Sequence, residues 1–256
     1  VQENEDPASD RDGANNGILA FDAKGRFSDH WSYEGQVAHT ESRHDVDDGL
    51  GGMRREELRG GIGVFRLNHS SRRLDLGFGY RHVDPGFRND IGFEERIGVD
   101  YSRINWQLNF RPKTGPLQRV SWTQYHMLIH DRTGRLDFME VTPGIDWAFR
   151  KNQFVWTGMQ FYREHWQGRD YDTPRFHVYY ENTMLRAVSF FGDFDWGRGI
   201  YYGEDDASSF SAWQESYDLS ATIRPTRTAS SRGSAASPVT TVKLSTFFRV
   251  SRSSVL

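Results

Sequence analysis

Residues 139–150 read MEVTPGIDWAFR. Met139, Val141, Pro143, Ile145, Trp147 and Phe149 occupy one phase, and Glu140, Thr142, Gly144, Asp146 and Arg150 the other. Successive side chains of a strand point to opposite faces, so this stretch predicts a β-strand with one apolar and one polar face. The period recurs on both sides of it. Upstream, Leu74, Leu76, Phe78, Tyr80 and His82 alternate with Arg73, Asp75, Gly77, Gly79 and Arg81. Downstream, Val188, Phe190, Phe194 and Trp196 alternate with Ser189, Asp193 and Asp195. Near the start, Leu19, Phe21 and Phe27 precede a Ser28-Asp29-His30 turn, and Trp31, Tyr33 and Val37 follow it as the second strand of a hairpin.

About twelve such stretches can be marked out, most of roughly 10–16 residues. Globular strands have a mode near 5–6 residues, whereas strands that cross a bilayer need about 9–11. Tight turns are predicted at Asp131–Gly134 and Lys151-Asn152, and longer loops at 43–54, 82–95, 167–174, 203–209 and 225–237. In 97–110 the phase changes, from Ile97, Val99 and Tyr101 to Ile104, Trp106, Leu108 and Phe110. A bulge near Arg103 would return all of them to one face. Helix-period segments with caps are not seen.

Composition narrows the class. The chain has 256 residues, no Cys and a formal charge of -3, with a mean hydropathy of -0.73. Hydrophobic residues make up 36% and aromatics 14%, so well over a third of the apolar residues are aromatic. No run approaches the roughly 18–20 apolar residues of a membrane helix. A near-neutral charge without a basic stripe argues against a nucleic-acid partner. The expectation is an all-β, antiparallel, up-and-down outer-membrane-type β-barrel of about twelve strands. Residues 1–16 read as a polar linker or tail, 17–250 as the barrel and 251–256 as a tail. The final stretch, STFFRVSRSSVL, trails off through Ser and Arg, and the chain is expected to be a fragment with an incomplete barrel.

In such a barrel Arg73, Asp75, Arg81, Asp100, Arg103, Asp146, Asp193 and Asp195 are expected to face the lumen, where both signs of charge permit ion pairs. The aromatic run 153–166, FVWTGMQFYREHW after Gln153, reads as a lipid-facing girdle.

The run Asp84 to Phe93, DPGFRNDIGF, follows a strand ending GYRHV and precedes Glu95-Arg96. Here the sequence resembles the C-terminal outer-membrane barrel of a bacterial family of unknown function. Members of that family usually carry an N-terminal carbohydrate-binding β-sandwich of the family-nine type. The resemblance runs from about Asn16 to the last strand, and DPGFRNDIGF is its one specific motif. It implies location in the bacterial outer membrane, outer-membrane lipid as partner, and carbohydrate as a partner through the sandwich that this sequence lacks. It implies no reaction.

For binding, Asp84, Phe87, Arg88, Asn89, Asp90 and Phe93 form a polar set with aromatic neighbours that could hold a ligand at a barrel mouth. The alternative is a structured turn using Gly86 and Gly92. No cofactor and no metal site is expected: HExxH is missing, and His126 and His130 would lie about 13 Å apart on a strand. His39, His44, His165 and His177 are placed near strand ends or loops. The stretch Asp45–Gly49 lacks the spacing of a calcium loop. No catalytic residue can be named. The expected function is that of an anchor, export or solute-passage module. A glycan-processing hydrolase and a soluble all-β binding module are the alternatives.

Overall fold

The computed structural model describes residues 15–47, 53–87, 96–185, 188–202, 209–223 and 242–250. They form twelve strands: β1 Asn15–Arg26, β2 Trp31–Asp47, β3 Met53–Ser70, β4 Leu74–Val83, β5 Val99–Phe110, β6 Leu117–Asp131, β7 Leu136–Phe149, β8 Gln153–Trp166, β9 Arg169–Asn182, β10 Val188–Tyr201, β11 Phe210–Ile223 and β12 Val242–Val250. The sheet order follows the chain, β1 through β12, and pairing is antiparallel between successive strands, as in β1–β2 and β7–β8. The described residues contain no helix long and apolar enough to cross a membrane. The all-β, antiparallel, up-and-down reading therefore holds. In this order β1 and β12 are the two ends, and the sheet is not closed between them.

Two compact units can be told apart. In the first, the β1–β2–β3 register puts Phe21 opposite Val37, and Gly35 opposite Phe65. These residues, with Leu19 and Tyr33, share one apolar face, and it is the exposed one: Leu19 is 79% and Phe21 70% accessible. The other face carries Glu34, Gln36, Thr40 and Ser42, of which Thr40 and Ser42 are buried. Burial thus runs opposite to that of a soluble sheet, where the apolar face is the covered one.

The second unit repeats the inversion. Val141, Ile145, Trp147 and Phe149 of β7 share a face with Val155, Met159 and Phe161 of β8, Phe176 and Val178 of β9, and Phe190, Phe194 and Trp196 of β10. Ile145, Phe161, Phe176, Phe190 and Trp196 on that face are exposed. The opposite face carries Glu140, Asp146, Gln160, Arg175, His177, Asp193 and Asp195 by the same register.

Several sequence expectations change. The predicted loop 43–54 is largely strand: β2 runs to Asp47 and β3 starts at Met53. Arg43 finds a partner across the ladder, the Glu57 carboxylate at 3.0 Å. Residues 48–52 lie outside the described set. The predicted loop 167–174 shrinks to Gln167-Gly168, both with positive φ (50° and 75°). Positive φ at two successive residues suits a two-residue hairpin turn. The residues after it join β9 because their charges find partners. Arg163 pairs with Asp172 at 2.7 Å and His165 with Asp170 at 2.7 Å. The Lys151-Asn152 and Asp131–Gly134 turns form as expected, with positive φ at Asn152 and Gly134. Asp131 Oδ1 accepts from the backbone N–H groups of Thr133 and Arg135.

The bulge expected near Arg103 is not needed. Arg81 lies over the Tyr101 ring, and the Arg103 guanidinium lies against Gly79, so Tyr101 and Arg103 share one face in register. Strand β1 starts at Asn15. Residues 1–14, 203–208, 225–237 and 251–256 lie outside the described set.

Candidate functional site

The Asp84–Phe87 turn follows directly on β4 and is pinned to β3. Asp84 N–H donates to the Gly61 carbonyl (2.9 Å), and Asp84 Oδ2 accepts from Gly61 N–H (2.8 Å). Phe87 N–H closes the turn on the Asp84 carbonyl at 3.1 Å. Backbone then packs on backbone: any side chain at Gly60 would meet Gly86 and Phe87, and any at Gly86 would meet Arg59. Phe87 is 6% exposed. Glycine is therefore required at 60 and 86 for lack of space. These contacts describe a structured turn laid on the Thr40–Gly60 side of the sheet. Arg88, Asn89, Asp90 and Phe93 lie outside the described residues.

At the same end of β4, His82 bridges two carboxylates, with Nδ1 2.7 Å from Asp100 and Nε2 3.1 Å from Asp84. Tyr80 donates its hydroxyl to Asp100 at 2.7 Å. The Gly61 N–H, and after it His82, hold the Asp84 carboxyl below the usual carboxylate range. Phe65 packs against Phe78, which places Phe78, Tyr80, His82 and Asp100 on the apolar face. Asp100 was expected among the lumen residues with Arg81 and Arg103. It stands instead on the opposite face, because no bulge shifts the phase of β5.

In the second unit the polar face holds two constellations. One links β4 to β7. Asn109 Nδ2 donates to Asp75 (2.9 Å), Ser121 Oγ donates to Asn109 Oδ1 (2.8 Å), and Gln107 Nε2 donates to Asn109 Oδ1 (3.1 Å) and to Asp146 (3.2 Å). Ser121 is fully buried and Asp146 8% exposed. Asp75 and Asp146 thus take the polar-face places expected of them. Arg73 lies just before β4, where its carbonyl accepts from Asn109 N–H.

The other constellation joins β8, β9 and β10. His177 pairs directly with Asp195 in the ladder, and Asp193 lies two residues along on the same face. His177 Nε2 is 3.1 Å from Asp193 and its Nδ1 is 3.6 Å from Asp195. Gln160 Nε2 lies 3.2 Å from His177 Nδ1, and the Trp156 ring meets the imidazole edge-on at 5.0 Å. Trp156 is anchored through its indole N–H to Thr123. A cavity of about 440 Å³ opens beside them, lined by Phe154, Trp156, Tyr179, Gln160, His177 and Glu181.

Two sequence readings give way here. His177 was placed near a strand end or loop, yet it sits well inside β9 because the preceding loop is only a two-residue turn. Phe154, Trp156 and Tyr162, read as lipid-facing girdle, occupy the polar face; Val155, Met159 and Phe161 hold the apolar one. Strict alternation of 153–162 contained this signal. The density of aromatics on both phases concealed it.

The chain matches no protein-family model and none of the curated proteins it was compared with.

Proposed function

We propose that the chain is a β-barrel domain of the bacterial outer membrane, acting as an anchor, export or solute-passage module and contributing no reaction of its own. The observation that carries this reading is the inverted burial of the sheet. Lipid would cover the face that bears Phe21 and Phe65 in the first unit and the face that bears Val141, Phe161, Phe190 and Trp196 in the second, while Thr40 and Ser42 in the first and Ser121, Asp146 and Thr173 in the second are buried away from it. Exposed apolar faces of this kind need a partner, and bilayer hydrocarbon is one that strands can face only if they close into a barrel.

The dimensions support the reading. Val141–Phe149 and Val188–Trp196 each span about 26 Å of strand at roughly 3.3 Å per residue, the order of the ~25 Å apolar band of outer-membrane barrels. On β8 and β9 the band ends at the Arg163–Asp172 and His165–Asp170 pairs. On β4 it ends at Tyr80 and His82, and on β5 at Asp100, which both of them contact. Charges and tyrosine at these levels fit a headgroup zone. The resemblance of DPGFRNDIGF to the barrel that follows a family-nine-type carbohydrate-binding sandwich adds carbohydrate as the expected cargo or tether of a neighbouring domain.

The glycan-hydrolase alternative would need two carboxylates about 5–9.5 Å apart across an open cleft. Between Asp193 and Asp195 stands His177, in contact with both. The deciding experiment is membrane fractionation with gel mobility before and after heating in detergent. Recovery in the outer-membrane fraction with heat-shifted mobility is expected. A protein that stays monomeric and soluble without detergent overturns the proposal.

A further inference from the structure

We infer that His177, Asp193 and Asp195 form a binding site for one divalent transition ion, with zinc as the reference. This goes beyond the barrel reading and does not depend on it. One ligand atom from each residue lies within 4.8 Å of the others, and all three residues are half-buried. A tetrahedral ion with bonds of about 2.0–2.2 Å holds its donors roughly 3.3 Å apart. The present contacts run to the two different ring nitrogens, Nε2 to Asp193 at 3.1 Å and Nδ1 to Asp195 at 3.6 Å, so one carboxylate must swing toward the ligating nitrogen for all three donors to meet one ion.

The site is more than adjacent acids. The donor set is mixed, one imidazole nitrogen and two carboxylates, which suits a transition ion better than calcium or magnesium. Its backbone is fixed by the ladder, since His177 and Asp195 are a direct cross-strand pair. Two carboxylates and a neutral imidazole sum to the charge that a divalent ion cancels.

The surroundings point the same way. Asp193 also stands directly opposite Asp218 on β11, and like charges facing each other across a ladder are destabilising unless neutralised. Arg175, the cation two residues before His177, donates its Nε to the Arg198 carbonyl and lays its guanidinium over Tyr162, and its charge also acts on Asp195. The neighbouring cavity, lined by His177 and Gln160, leaves room for water or an exchanging ligand at the fourth position.

The test is zinc titration of the whole chain in detergent micelles, followed by calorimetry and by histidine long-range 1H–15N spectra. One saturable zinc equivalent is expected, with a single imidazole perturbed. Asp193→Asn and His177→Gln each weaken binding at least tenfold, whereas Asp22→Asn, on β1, leaves it unchanged. X-ray absorption of the zinc-loaded parent protein should show a nitrogen and oxygen shell with one imidazole, a readout that stands even if a variant fails to fold. No saturable binding, a shell without imidazole, or folded variants that bind like the parent overturns the assignment.

Discussion

The polar face is filled in two different ways. Beside β3 it is covered by backbone: the Asp84–Phe87 turn lies on Gly60, with Phe87 buried. From β4 to β10 it is filled by side chains, first the Asp75–Asn109–Ser121–Gln107–Asp146 network and then the His177 cluster with its cavity. Backbone filling depends on glycine and is unforgiving of any side chain. Side-chain filling depends on every polar group keeping a partner, and it leaves space where a ligand can enter.

The largest effect should therefore come at Gly60. Gly60→Val drives a branched side chain into the backbone of Gly86 and Phe87, and overpacking costs about 1–3 kcal/mol, occasionally more. A loss at or above the top of that range is expected in urea unfolding from micelles. A smaller loss would mean the turn is not seated on β3.

In the second region Asn109→Leu removes the hub of the network. Ser121, fully buried, loses its partner, and a stranded buried group costs about 1–3 kcal/mol. The same unfolding measurement should give a loss of about 2 kcal/mol. If Asn109→Leu is neutral, side-chain filling is not what holds this region.

Gly168→Ala tests the turn that brings His177 inside β9. With φ at 75°, an alanine should cost about 1 kcal/mol. Gln167→Gly should offset part of that, since Gln167 has positive φ as well. Thermal melts of the two single variants and the double variant separate these terms.

The smallest effect concerns pH at the backbone-filled region. The Asp84 carboxyl is held below its ordinary range by Gly61 N–H and then His82. A depressed carboxylate stabilises the fold above its unfolded pKa, about 3.9. That contribution is lost as pH falls through the lower folded value. Hydrogen exchange at the Gly61 amide should therefore accelerate once the pH drops below about 4. Asp84→Asn should flatten that dependence. Because the side chain is 46% exposed, the change in global stability should be within about 1 kcal/mol. An unchanged pH profile in the variant would remove Asp84 from the account.

Most strands could be read directly from alternation, and β7 and β10 fall close to where Met139–Phe149 and Val188–Trp196 place them. The misread segments share one cause. In 43–47 and 169–173 the residues are polar or charged on both phases, which reads as loop in isolation. In the sheet Arg43 pairs with Glu57 and Arg163 with Asp172 across the ladder. Asp100 was misplaced because a bulge was needed to keep every apolar residue of 97–110 on one face. The strand keeps its phase and puts Asp100 at the end of the apolar band.

The candidate sites divide along the same line. Asp193 and Asp195 stand out in one strand as two acids on one phase, so their face was legible. His177 was not, because its position depends on the length of the Gln167-Gly168 turn and on cross-strand register.

By itself the sequence determined the alternation, and with it the strands, their two faces and the high aromatic content of the apolar one. These follow from a two-residue period that needs no partner. Only the tertiary structure decided which face is covered, which polar residues meet and where glycine is indispensable. Those depend on register between strands and on the path of the turns, which are set by contacts between residues far apart in the chain.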